Sequence, residues 1–241
     1  MRKPFLVFLL LALGLISIGC TRKQTTGEHQ QFVWHEKRTK PFGRFDYEKI
    51  TEKAAFDVME NKFALNVPTF VEEVKSLLKK KVAAENMSVG KAEYTMYAAG
   101  EEFKVRGFYP VYENNTMRAF ALIDLKYEFS KEKKQVRLTS QKLSLTSYGE
   151  NSEYPQDNFF EVLQACGSLI DIPKKQLQQA IENAQNDYKV KEQRPVSAKR
   201  WIYTNDNEAQ DKQEVSQTLQ VGFDDQQEFR EIYAAVIDYT E

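Results

Sequence analysis

The residues able to do chemistry in this chain are few and badly placed for it. There are two cysteines, Cys20 and Cys166, and two histidines, His29 and His35. A Ser-His-Asp or Cys-His arrangement needs an imidazole base near its nucleophile. Both histidines fall in the polar stretch TRKQTTGEHQQFVWHEKRTKPFG, which runs from Thr21 to Gly43 and lacks sustained periodicity. Their spacing, with only Glu28 and Glu36 beside them, does not make a tetrahedral metal site. Cys166 sits on an apolar helical stripe between Ala165 and Gly167, so it reads as a buried thiol packing as a small hydrophobe. The carboxylate pairs Glu72-Glu73, Glu101-Glu102 and Asp224-Asp225 read as solvated faces or turns. Phosphate-cradling glycine loops, H-E-x-x-H and EF-hand motifs are missing from the sequence. No catalytic residue, metal ligand or cofactor is assigned from the sequence, and the expectation is a non-enzyme. A hydrolase without a recognisable motif stands as the alternative.

Cys20 is different, because of what precedes it. Arg2 and Lys3 lead into an uncharged run of 16 residues, Pro4 to Gly19. A membrane-spanning helix needs about 20 apolar residues, and this run is shorter and ends in small residues. A charged start, a short apolar stretch and small residues at its end read as a secretory signal over residues 1–19. The tetrad Ser17-Ile18-Gly19-Cys20 resembles the lipobox of bacterial lipoproteins. That resemblance implies cleavage between Gly19 and Cys20, diacylglycerol on the Cys20 sulfur, and a protein held by lipid outside the cytoplasm. The anchoring surface would be the outer face of a cell membrane, or an outer membrane in a two-membrane host. Ser17 and Gly19 also satisfy the small-x-small pattern of general signal peptidase. On that alternative the protein is plainly secreted, and Cys20 and Cys166 form its disulfide.

From Cys20 onward the 34 basic residues lose Arg2 and Lys3 against 35 acidic ones, leaving a formal charge of −3. That balance gives no electrostatic footprint for nucleic acid and no general attraction to anionic lipid. Hydrophobic residues make up 41% and aromatics 12%, enough material for a core. The expected partners are therefore the membrane, through the lipid, and an extracytoplasmic protein or ligand.

The elements expected to carry these residues form an α+β body. Residues 20–43 are read as a polar tether behind the lipidated cysteine. Residues 44–149 form a first unit. Its first helix is expected from an Asp46 N-cap to about Phe63, with Ile50, Ala54 and Val58 on one face. A second helix follows Thr69-Phe70-Val71-Glu72, which has the capping-box form, and buries Phe70, Val71, Val74, Leu77, Leu78 and Val82. Strands are expected at Glu93–Tyr97, Glu102–Tyr112, Met117–Phe129 and Gln135–Tyr148, forming an antiparallel meander covered on one side.

Residues 150–241 repeat the order. Phe159, Leu163, Cys166 and Ile170 mark one helix, and Leu177, Ala180, Ile181 and Ala184 mark another after Pro173. Strands follow at Val196–Thr204, Thr218–Phe223 and Glu228–Tyr239; the last segment also fits a helix template. Helix pairs on meanders resemble two cystatin-like or NTF2-like units in tandem, able to pack as one domain. Within the first unit, Arg106 to Thr116 (RGFYPVYENNT) concentrates aromatic side chains of the kind enriched at binding hot spots. Phe108, Tyr109 and Tyr112 are its candidate interaction surface. The alternative is that these residues simply alternate between the helix layer and the sheet edge.

Overall fold

The long strand Thr116–Ser130 shows how the molecule is built. Along it Ala119, Ala121, Ile123, Leu125, Tyr127 and Phe129 are buried, while the residues between them are half-buried. A period of two with one apolar face dictates a sheet covered on that face only. The computed structural model describes residues 35–148 and 158–240, and it shows an α+β fold organised in this way.

Ten strands form one sheet: β1 His35–Lys37, β2 Gly43–Thr51, β3 Met87–Val89, β4 Glu93–Gly100, β5 Glu102–Glu113, β6 Thr116–Ser130, β7 Gln135–Ser147, β8 Lys199–Thr204, β9 Val215–Phe223 and β10 Phe229–Asp238. The order is β2-β4-β5-β6-β7-β10-β9-β8, with β1 added on β7 and β3 on β5, and every pairing is antiparallel. The strands of both expected units thus lie in a single sheet. They join where Ser140–Thr146 of β7 pairs with Glu231–Ile237 of β10.

Turn chemistry sets the meander's register. Asn114 (φ 49°) and Asn115 (φ 67°) form the two-residue β5–β6 turn, where positive φ matches the strand twist. Asp224 organises the β9–β10 turn: its carboxylate accepts from the Gln226 and Glu228 amides at 2.9 and 2.8 Å and from Arg230 Nε at 2.6 Å. The segment Phe229–Asp238 is therefore a strand, as the turn reading requires.

Four helices belong to the apolar side: α1 Glu52–Asp57, continued in π-type turns over Val58–Lys62; α2 Thr69–Leu77, continued likewise over Leu78–Val82; α3 Phe159–Leu169; and α4 Lys174–Asp187. Their buried side chains share one core with the inner faces of the strands. Helix α3 meets α4 closely at Gly167, where an added Cβ would collide with the Leu177 side chain. A short fifth helix, α5 Asp206–Lys212, bridges β8 and β9. No helix among the described residues is long and apolar enough to cross a membrane.

Three expectations need correction. The helix expected from Asp46 begins only at Glu52, where Thr51 Oγ1 accepts from the Ala54 amide at 3.3 Å. Residues 43–51 are a strand instead, because Phe45 and Tyr47 alternate against β4 and the Phe45 ring stacks on Phe63 at 4.9 Å. The buried stripe of α1 is accordingly Ala55, Met59 and Phe63, while Ala54 is exposed. Helix α2 starts at Thr69 itself, the residue expected as its cap. Pro68 takes the cap position in extended geometry and its carbonyl accepts from Val71 N at 3.1 Å. Finally, the body begins before residue 43. Residues His35–Lys37 pair with Gln135–Arg137, and buried Phe42 contacts the Phe63 and Phe103 rings at 5.7 and 5.3 Å.

Candidate functional site

The face of the sheet opposite helices α1–α4 carries the side chains the core rejects. On β5 these include Lys104, Arg106 and Phe108; on β6, Asp124, Lys126 and Glu128; on β7, Arg137, Ser140 and Lys142. Cross-strand register brings opposite charges together, as sheet pairing favours. Arg106 donates from Nε to Asp124 Oδ1 at 2.6 Å and from Nη2 to Oδ2 at 3.1 Å. Lys126 bonds Glu128 at 2.5 Å and Glu102 at 3.1 Å, and Lys104 meets Glu102 at 3.0 Å. The cations on Lys104 and Lys126 hold the Glu102 carboxyl below the usual carboxylate range. Asp124 holds Arg106 more firmly protonated than usual.

This ladder floors a groove of about 680 Å³, closed at one end by β10 and the segments around it. Gln213, in left-handed geometry after α5, and Tyr239 form the wall, and Tyr239 Oη donates to Asp206 Oδ1 at 3.0 Å. A β-bulge shapes the floor. Lys126 pairs with Ser140 and Tyr127 with Leu138, so Thr139 is an extra residue in β7. Bulges bend a strand and re-aim its side chains. Here Thr139, Ser140 and Gln141 are all buried, three polar residues in succession within a strand.

Two residues that line the groove each carry a buried polar atom without a hydrogen-bond partner, Ser140 at Oγ and Asp238 at Oδ2. The Asp238 side chain is 1% exposed and rigidly held, since its Oδ1 accepts from Thr240 N at 2.9 Å and Thr240 Oγ1 at 2.6 Å. The nearest cation to Oδ2 is Arg137 Nη1 at 3.9 Å, outside hydrogen-bond range. Buried polar atoms without partners cost about 1–3 kcal/mol each and call for an explanation. Arg38 Nε and Asn158 Oδ1 also lack partners, but they lie apart from the groove. In the groove two such residues line one opening together with charged side chains.

The sequence-derived candidates fall elsewhere. Cys20 and the cleavage position at Gly19 lie outside the described residues. Cys166 is fully buried and its thiol is pushed up to about 12 by desolvation, as its apolar stripe implies. The aromatic set Phe108, Tyr109 and Tyr112 does not form one surface. Tyr109 is 2% exposed and belongs to the helix side, where its Oη donates to Glu52 Oε1 at 2.6 Å and shares a hydrogen bond with Tyr94 Oη. Tyr112 is half-buried beside Gly90. Phe108 alone faces the open side, in a row with Phe120 and Tyr148 at 5.4 and 5.6 Å. Among the described residues no group of three His, Cys, Asp or Glu side chains could hold a metal.

Arg137, Ser140, Lys142 and Asp238 were not singled out by sequence reasoning. The polar triple Thr139-Ser140-Gln141 inside a strand was the available signal. Comparison with protein-family models, with curated proteins and with solved structures finds no match. The functional reading therefore rests on the chain's own chemistry.

Proposed function

We propose that this chain is a lipid-anchored, extracytoplasmic binding module: Cys20 carries the anchor, and the groove between β5, β6, β7 and β10 takes a small polar ligand. One observation carries the binding reading. The groove is lined by Asp238 and Ser140, whose buried Oδ2 and Oγ the fold positions and leaves unsatisfied. A fold gains nothing by desolvating such atoms, whereas a ligand that pairs them recovers the cost.

The anchor reading rests on Ser17-Ile18-Gly19-Cys20 and gains support from Cys166. Its thiol is fully enclosed in the core, so a disulfide to Cys20 would require the core to open. Geometry also fits. β1 starts at His35 opposite Arg137, so the chain enters the body beside the groove. The fourteen residues Thr21–Trp34 reach at most about 50 Å. The ligand would therefore be captured close to the membrane surface.

Two arms test this. Intact-mass analysis of the membrane fraction should show a chain starting at Cys20 with added diacylglycerol mass, and Cys20→Ala should release unlipidated protein. A chain starting at Cys20 without lipid mass would defeat the anchor reading. Native mass spectrometry after incubation with a cell-envelope extract should show a small molecule retained by wild type and lost from Lys142→Glu. Equal retention, or none, would defeat the groove reading.

A further inference from the structure

We propose that the groove's ligand is zwitterionic, a free amino acid or short peptide whose ammonium group pairs with Asp238 and whose carboxylate pairs with Arg137 and Lys142. This rests on the groove reading above. It follows from which charges the chain neutralises itself and which it leaves over.

At the β5–β6 end the floor is self-neutralised. Lys104, Arg106 and Lys126 are matched by Glu102, Asp124 and Glu128 in ion pairs at separations of 2.5–3.1 Å. At the β7–β10 end the matching stops. Arg137 stands 3.9 Å from Asp238, and Lys142 has no carboxylate within 4.0 Å among the described residues. Ser140, two residues from Lys142 on the same strand and about 6–7 Å along it, adds a free hydroxyl. The unspent groups are thus one fixed carboxylate oxygen, one guanidinium, one ammonium and one hydroxyl.

Simple ligands satisfy only part of this set. A lone anion would pair with Arg137 and Lys142 but add a negative charge beside Asp238. A lone cation would reverse the problem, repelled by two positive side chains. A neutral polyol would supply donors to Asp238 yet leave the cations unpaired. A zwitterion meets both demands, and unpaired charges are penalised most where water is excluded. The close approach of Arg137 to Asp238 suits a compact zwitterion such as an amino acid or dipeptide, which carries both charges on one small molecule. Asp238 Oδ2 is closed to solvent in this conformation, with Arg137 Nη1 3.9 Å away. The ligand carboxylate would draw the guanidinium aside and so uncover the oxygen that receives the ammonium.

The test is isothermal titration of the full chain in detergent with L-alanyl-L-alanine, its N-acetyl form and its C-terminal amide. The free dipeptide should bind at least about tenfold more tightly than either blocked form. Asp238→Asn should remove the penalty for N-acetylation, whereas Arg137→Gln and Lys142→Ala should remove the penalty for amidation. Lys142 is only half-buried, so its variant keeps the test valid if Asp238→Asn folds poorly. Equal binding of all three probes, or no binding at about 10 mM, would overturn the zwitterion assignment. So would equal binding of acetate alone. If these probes fail while an envelope extract still yields a Lys142-dependent ligand, only the ligand class is wrong. If both fail, the groove reading falls with it.

Discussion

The two faces of the sheet treat polar groups in opposite ways. On the covered face, Tyr94, Tyr109, Glu52, Lys75 and Glu72 form a connected chain. Tyr109 donates to Glu52, and Glu52 meets Lys75 at 3.2 Å, which in turn meets Glu72 at 2.8 Å. Burial raises the Tyr109 phenol far above its ordinary value, so it stays a neutral donor. On the open face the charged ladder is satisfied only as far as β6. Where β7 meets β10 at the groove's end, a carboxylate oxygen, a hydroxyl and two cations are left without adequate partners. Both faces bury polar atoms. The covered face spends them on holding the helix layer, and the open face keeps them for something outside the chain.

Apolar truncation should break this contrast most strongly. Phe103→Ala removes a fully buried ring that touches Phe42, Phe45, Phe63 and Tyr127, and should cost about 3–5 kcal/mol in urea unfolding. Phe108→Ala, the next aromatic residue along the sequence but on the open face, should cost clearly less. Equal losses would mean the open face is covered in solution. Tyr109→Phe tests the covered network. It leaves Glu52 and Tyr94 short of a partner and should cost about 1–3 kcal/mol.

A smaller effect comes from Asp224 at the β9–β10 turn. Burial opposes its ionisation, but bonds from the Glu228 amide, Arg230 and the Gln226 amide outweigh that and lower its pKa. A carboxyl depressed on folding contributes stability that is fully present above about pH 4 and is lost as pH falls through its folded value. Asp224→Asn should therefore lower stability at pH 7 by about 1–2 kcal/mol and flatten the acid limb of the stability–pH curve. An unchanged acid limb would remove Asp224 from the account. Smallest of all, Lys104→Ala should change stability by less than about 1 kcal/mol, because the Lys104–Glu102 pair is about half exposed.

How much of this could be read in the sequence follows from the range of the forces. The β4–β7 meander is local: alternation along Ala119–Phe129 and the Asn114-Asn115 turn define it, and the expected strand ends fall within three residues of those observed. Cys166 sits inside, as its apolar stripe requires. The strand over Phe229–Asp238 followed from the need for a third partner beside β8 and β9. Residues 43–51 were misread because Ile50, Ala54 and Val58 fit a helical period, while pairing with β4, some fifty residues away, decides the outcome. Tyr109 illustrates the same limit: its parity along β5 sends it under α1, to a Glu52 that no local pattern links to it. The groove was least legible. Arg137 and Asp238 are a hundred residues apart and meet only because β7 bonds to β10 and a bulge turns Ser140 inward.

Urea unfolding of Ser140→Ala against wild type decides whether the open face buries its polar atoms for a ligand or for the fold. Stability should be unchanged or rise by up to about 1 kcal/mol, because the hydroxyl removed was desolvated and unpaired. A loss of more than about 1 kcal/mol would contradict it, showing that the hydroxyl serves the fold after all.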